Sequence, residues 1–397
     1  MTKDLKIILL VGFSLFTMFF GAGNIVFPLK LGSIVGENIV ASISGFLLTA
    51  VGLPFIGVFA IIINKGNYFS LFSKTGRIPG YTIITLLVLI LGLFVANPRT
   101  GVVIYKTNLF YLPKSDLFRY IFYFIFYSLI FFAMANRAKI INVLGAFVSP
   151  LKLLTLILFI ILSIITAETF SPSSETSSLL SFLDSARYGY NTADMFAGFF
   201  YATFSYGAIL QLFKKYKLEK QEKRVQKIAF SACILAGCLM GLIYIGFMLA
   251  SFAHARDLDH VPEDIIIIAL SKAFLGDYAS FCIALVVTIA CFASTIALTT
   301  ISVDFLKSTI LKKLPHKFIL LLVLFINYCM CNLGFKKIME LSQPFLENIY
   351  PPLIVICVLS ILNKFYKIDY IRSGFYLTLL VTVLFNTITK YYPLLYG

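Results

Sequence analysis

Three stretches of this sequence place small polar and helix-weakening residues at helical spacing inside long apolar runs. Ser14, Thr17, Gly21, Asn24 and Pro28 step by 3, 4, 3 and 4 residues and so share one helix face. Asn191, Asp194, Gly198, Tyr201 and Ser205 repeat those steps. Thr288, Cys291, Thr295, Thr299 and Ser302 step by 3, 4, 4 and 3, with Ser294 beside them. In hydrocarbon such residues must face protein or a water-filled cavity. Hydroxyls and freed carbonyls suit a bare cation. N–H groups freed where a helix breaks suit an anion. The chemistry on offer is therefore reversible binding of an ion and a polar solute. Each stripe also has a plainer reading. Gly21-Ala22-Gly23-Asn24 reads either as a broken helix or as close packing of small residues. The hydroxyls either form a cation-facing wall or bond their own preceding turn. Asp194 reads either as a site carboxylate or as a helix-start residue near the outer interface.

The elements that must position these residues are membrane helices. Of the 397 residues, 60% are apolar and 13% charged, and mean hydropathy is +0.94. Average soluble domains hold about 45–50% apolar and about 25% charged residues. A soluble enzyme, a secreted disulfide scaffold and a disordered chain are excluded. A barrel is disfavoured, because the apolar runs are continuous and do not alternate. Eleven spans are predicted, at 7–29, 39–63, 80–104, 118–135, 148–167, 190–213, 227–253, 278–305, 317–334, 339–362 and 371–389. The first keeps its apolar run past Gly23 and lacks an A-x-A site, so it is not a cleaved signal. The stretch from Pro262 to Gly276 reads as a short capping helix, with Pro in its first turn and Gly at its stop. The seven cysteines fall in apolar runs without a CxxC and read as small buried hydrophobes.

The net charge of +15 suggests no nucleic acid. With the N-terminus inside, inner segments carry roughly twice as many Lys and Arg as outer ones, chiefly through Lys214 to Lys227. An odd span count then puts the C-terminus outside. Lys152, near the inner end of span 5, is expected to snorkel. Glu347 in span 10 reads as an interfacial residue or a proton carrier. Arg99 in span 3 and Asp194 in span 6 read as opposite charges in the outer half, either a gate pair or two independent interfacial charges. His254, His260 and His316 lie outside the spans, which leaves no buried His for catalysis. No Walker motif is present.

The run Phe20-Gly21-Ala22-Gly23-Asn24-Ile25-Val26-Phe27-Pro28 resembles the first-span signature of bacterial branched-chain amino acid:cation symporters (the LIVCS, or BrnQ-type, carriers). Further similar stretches follow in order. They are Gly52-Leu53-Pro54, Pro98-Arg99-Thr100, Gly189-Tyr190 with Thr192 and Asp194, Ala290-Cys291 with Leu298-Thr299, and Ile349-Tyr350-Pro351-Pro352. Ala202, Ala293 and Glu347 depart from the family's usual glycine, threonine and non-acidic residue, and the family usually has twelve spans.

The resemblance implies an all-α integral membrane protein of the amino acid–polyamine–cation superfamily. Its core would be a five-plus-five inverted repeat, LeuT-like, with spans 1 and 6 broken. The first repeat would cover 1–167, an outer loop 168–189, the second repeat 190–362 and an extra span 363–397. Paired interruptions at corresponding places in two halves are the sequence pointer to such transporters. The implied activity is uptake of leucine, isoleucine and valine across the bacterial inner membrane, driven by sodium or protons, without an enzyme's chemistry or a resident cofactor. An integral-membrane enzyme and a channel are the competing classes, and a carrier of another small neutral amino acid is the nearer alternative.

For the substrate, N–H groups near Gly21, Ala22, Gly23 and Asn24 would take the carboxylate. Carbonyls freed around Gly198 to Ala202 would take the ammonium, with Phe199, Phe200, Tyr201 and Phe204 as apolar walls. For sodium, carbonyls of Thr17, Phe20 and Cys291 with the hydroxyls of Ser294 and Thr295 match the superfamily's ion site in spacing. Without sodium, Asp194 or Glu347 would have to carry protons.

Overall fold

A chain in lipid has no water to bond its backbone, so each apolar run must close its own hydrogen bonds as a helix. The computed structural model of the protein describes residues 2–113, 115–135, 149–167, 177–218, 221–367 and 370–391, and every regular element among them is helical. Span 1 is α1 (Lys3–Phe19) and α2 (Ala22–Ile34), bent by 68°. Spans 2 to 4 are α3 (Gly36–Ile63), α4 (Arg77–Tyr111) and α5 (Asp116–Met134). Span 5 is α6 (Ser149–Ile165). Span 6 comprises α7 (Ser178–Gly189) and α8 (Asp194–Lys215), and span 7 is α9 (Glu222–Phe252). Then follow α10 (Ile266–Phe305), α11 (His316–Cys331), α12 (Phe335–Tyr366) and α13 (Ile371–Tyr391). Among the described residues, 8 helices are long and apolar enough to cross a membrane, or 9 with the bent pair. The shorter apolar helices Pro150–Ile165 and His316–Cys331 stand where spans 5 and 9 are expected.

One boundary differs from the sequence reading. Residues 178–189, assigned to an outer loop, form α7, capped at Ser177, whose side chain accepts from the Leu180 N–H. The rest of that loop, 168–176, lies outside the described residues. The short helix stops at Gly276 as read from the sequence: its backbone, at φ 79°, is one that glycine alone adopts at little cost, and it separates two helical parts of α10, the span proper starting there. In the part before it Ile266, Ile267, Ile268 and Leu270 are buried. The cysteines are all free, but Cys238, Cys282 and Cys329 face outward on their helices and are not buried.

The bundle is organised around α9, along which both α1 and α2 pack. Opposite it, α8 packs on Leu53–Ile63 and α10 on the Ala96–Asn108 part of α4. The break of span 1 therefore sits in the middle of the core. Close approach fixes α7, which lies so tightly on Ile39–Leu47 that a Cβ at Gly45 would collide with the Phe182 carbonyl. Gly45→Val should cost about 1–3 kcal/mol or more through overpacking. A melting temperature in detergent equal to the parent's would contradict that contact.

Candidate substrate and ion site

The ladder of α1 ends at Phe20, whose N–H donates to the Phe16 carbonyl at 2.9 Å. The next N–H, of Gly21, would continue the helix onto Thr17. It donates instead to Asn24 Oδ1 at 3.0 Å, and Gly21 is extended at φ −119° and ψ −156°. The Asn24 side chain thus caps α2, leaving the N–H groups of its first turn pointing into the break. Asn24 Nδ2 donates to Asp194 Oδ2 at 2.7 Å and also contacts the Tyr244 hydroxyl. The Tyr244 hydroxyl donates to the same Asp194 oxygen at 3.0 Å. Asp194 is 3% exposed. It is the first residue of α8 and also a buried member of the break, so both readings of it meet in one residue.

Span 6 breaks before α8, not within it. A single turn at Tyr190–Thr192 and left-handed Ala193, at φ 60°, separate α7 from α8. The break-prone Gly198 lies inside continuous helix, where it lets the Pro54 carbonyl and Val58 approach. The carbonyls around Gly198 to Ala202 are engaged in that helix and do not form a subsite. Arg99 reaches the true break instead. Its Nη1 donates to the Asn191 carbonyl at 2.6 Å and its Nη2 to the Thr192 carbonyl at 3.1 Å. Its guanidinium lies 5.0 Å from the centre of the Phe27 ring. Arg99 and Asp194 form no ion pair within 4.0 Å, so the direct gate pair read from sequence is not made.

These groups surround one small cavity of about 30 Å³ at the two breaks. Gly21, Ala22, Gly23, Asn24, Arg99, Asp194, Tyr201 and Ser294 line it. Four expected substrate-site residues do not. Gly198 packs on α3, Phe199 meets Phe72 edge to face and Phe200 packs against Tyr68, while Phe204 is 43% exposed. The apolar wall comes from Met18, Phe19, Leu91, Ala96, Ala197 and Leu298, which the sequence reading missed. Ala197 carried a signal, being one turn from both Asp194 and Tyr201. Leu91 and Leu298 are ordinary core residues by type. Glu347 is exposed on α12, where it accepts from Gln343 Nε2 at 3.0 Å, and is not at the cavity.

Residues 255–265 are tied to α2 and α7 by hydrogen bonds. Lys30 donates to the carbonyls of Asp259 and Val261, and the Tyr188 hydroxyl to Glu263 at 2.6 Å. Below the break, α10 brings up the expected ion ligands. Ser294 Oγ donates to the Cys291 carbonyl at 3.0 Å and lies 2.8 Å from where a Gly21 Cβ would be. Thr295 Oγ1 is buried without a hydrogen-bond partner. Thr17 and Phe20 are buried at the end of α1. The rest of the α10 stripe serves packing: Thr288 bonds Asn108 and Thr299 bonds Asn97, both on α4. Lys152 does not snorkel. It is 2% exposed, its Nζ lies 5.0 Å from both the Phe16 and Phe20 rings, and it has no hydrogen-bond partner.

A family model described as "Branched-chain amino acid transport protein" matches residues 4–394. The chain belongs to that family. Relatives in it include the branched-chain amino acid permease BraB of Bacillus subtilis (strain 168), 30% identical over 370 residues, which span 90% of this chain and 80% of the relative. The branched-chain amino acid permease BrnQ of Escherichia coli (strain K12) is 26% identical over 89% of this chain and 80% of its own length. Like other members of the family, the protein is a membrane transporter and not an enzyme. Solved structures agree on the fold. MhsT in complex with L-phenylalanine gives a TM-score of 0.65 at 15% identity, covering 94% of this chain and 97% of MhsT. Mhp1, a nucleobase-cation-symport-1 family transporter, gives 0.60 at 14%, covering 96% and 93%. The fold is the LeuT-like one that the resemblance implied.

Proposed function

We propose that the protein imports leucine, isoleucine and valine across the bacterial inner membrane with a cation, sodium, moving in the same direction. The observation that carries this reading is the break of span 1 facing α10. It presents N–H groups to one side and, below, neutral oxygens of Thr17, Phe20, Cys291, Ser294 and Thr295. Sodium prefers hard oxygen ligands, and in a dry site these must be carbonyls and hydroxyls. The apolar wall of Met18, Phe19, Leu91 and Leu298 suits a branched aliphatic side chain. Family membership and the names of the relatives support the substrate class. The charge asymmetry of the loops supports an N-terminus in the cytoplasm and a C-terminus outside.

The test is uptake of labelled leucine by vesicles containing the purified protein. An inward sodium gradient should drive accumulation that a proton gradient alone does not. No accumulation under either gradient would refute the function. A second reading, coupling to protons, is favoured by Lys152, whose amine is buried without a hydrogen-bond partner 5.0 Å from the Phe16 and Phe20 rings, next to the expected ion ligands. Uptake driven by a proton gradient and indifferent to sodium would establish it in place of the first.

A further inference from the structure

An amino acid enters the membrane as a zwitterion, and both of its charges must be matched in the cavity. The expected ammonium subsite around Gly198 to Ala202 does not exist, because α8 is continuous there. Two side chains at the breaks are left to match them.

Arg99 is 2% exposed and has only neutral hydrogen-bond partners. Its Nε is buried without any. Its Nη2 lies 2.6 Å from where a Cβ of Gly23 would stand. The guanidinium therefore lies against the first turn of α2, beside the N–H groups that favour an anion. A buried guanidinium is stable where an anion completes its planar fork. Asp194 lines the same cavity yet stays out of contact with the guanidinium. The Asp194 carboxylate is held across the cavity by Asn24 and Tyr244.

We infer that Arg99 binds the carboxylate of the transported amino acid and Asp194 its ammonium. The carboxylate bridges the guanidinium and the α2 N–H groups, and the ammonium donates to Asp194. The cavity thus selects the α-amino acid zwitterion by two side chains of opposite charge, while its walls select the aliphatic group. This assignment rests on the amino-acid reading of the cavity.

The experiment is inhibition of labelled leucine uptake in vesicles by three compounds: leucine, leucine amide, which lacks the carboxylate, and 4-methylpentanoate, which lacks the ammonium. For the parent protein, both analogues should be at least tenfold weaker than leucine. Arg99→Gln should weaken leucine about tenfold or more and leave leucine amide unchanged. Asp194→Asn should weaken leucine and leave 4-methylpentanoate unchanged. Ligand-induced thermal stabilisation in detergent gives the same comparison for a variant that no longer transports. A variant that fails to fold leaves the parent's own discrimination as the test: leucine amide and 4-methylpentanoate as potent as leucine would overturn the assignment. So would Arg99→Gln weakening leucine and its amide by one factor. A parent protein that takes up no leucine would instead overturn the amino-acid reading itself, and this assignment with it.

Discussion

Gly23→Leu is expected to abolish leucine uptake, by 100-fold or more, while the protein still inserts and purifies. A Cβ at this position would stand 2.6 Å from Arg99 Nη2, 3.2 Å from its Cζ and 3.3 Å from Phe27 Cε2. The added side chain must therefore occupy the place in the cavity proposed for the carboxylate, or push Arg99 off the carbonyls of Asn191 and Thr192. Helix propensity works the other way, because leucine favours a helix over glycine by up to about 1 kcal/mol. A loss of uptake would then report on the cavity and not on α2. Membrane yield and gel filtration check insertion, and vesicle uptake checks transport. Leucine transport at the parent rate would remove the break of span 1 from the substrate site.

The second large effect concerns the ion. Changing Ser294→Ala together with Thr295→Ala should raise the sodium concentration for half-maximal leucine uptake tenfold or more. That corresponds to about 1.4 kcal/mol. Thr295 Oγ1 bonds nothing, so its removal strands no buried partner. Ser294 Oγ gives its proton to the Cys291 carbonyl in its own turn and keeps its lone pairs for a cation. Both changes leave helix-favouring alanine in α10, so folding should survive them. A sodium dependence equal to the parent's would refute the ion assignment and leave the fold and substrate readings intact.

The two broken spans show what a single sequence conveys. The break of span 1 was legible because Gly21, Gly23 and Asn24 are each unusual in mid-helix, and together they point to one place. The break of span 6 was misplaced because Gly198 looked like the weak point. Its smallness serves contact with Pro54 and Val58 instead. The real break turns on Ala193, a residue type that favours helix and carries no warning. What holds that break open is Arg99, which is distant in sequence. Rotation about a helix axis was likewise illegible where a run is apolar all round. Lys152 was free to point inward or outward by pattern alone, and packing of α6 on α9 and α10 turned it onto Phe16 and Phe20. Residues 178–189 read as loop because polar residues interrupt them, yet one side of α7 is buried, at Ser181, Ser185 and Gly189.

The 68° bend of span 1 also has a mechanical consequence. A straight helix is a rigid rod, and tilting one end moves the other. Here the backbone ladder stops at Phe20, so α1 and α2 form a jointed rod with its joint at the cavity. The α2 piece is anchored through Lys30 to the carbonyls of Asp259 and Val261. The α1 piece is anchored separately, by Asp4 to Arg224 of α9. Either anchor can release while the other holds. One side then opens without unsealing the opposite one, and a carrier built this way moves its cargo without becoming a leak.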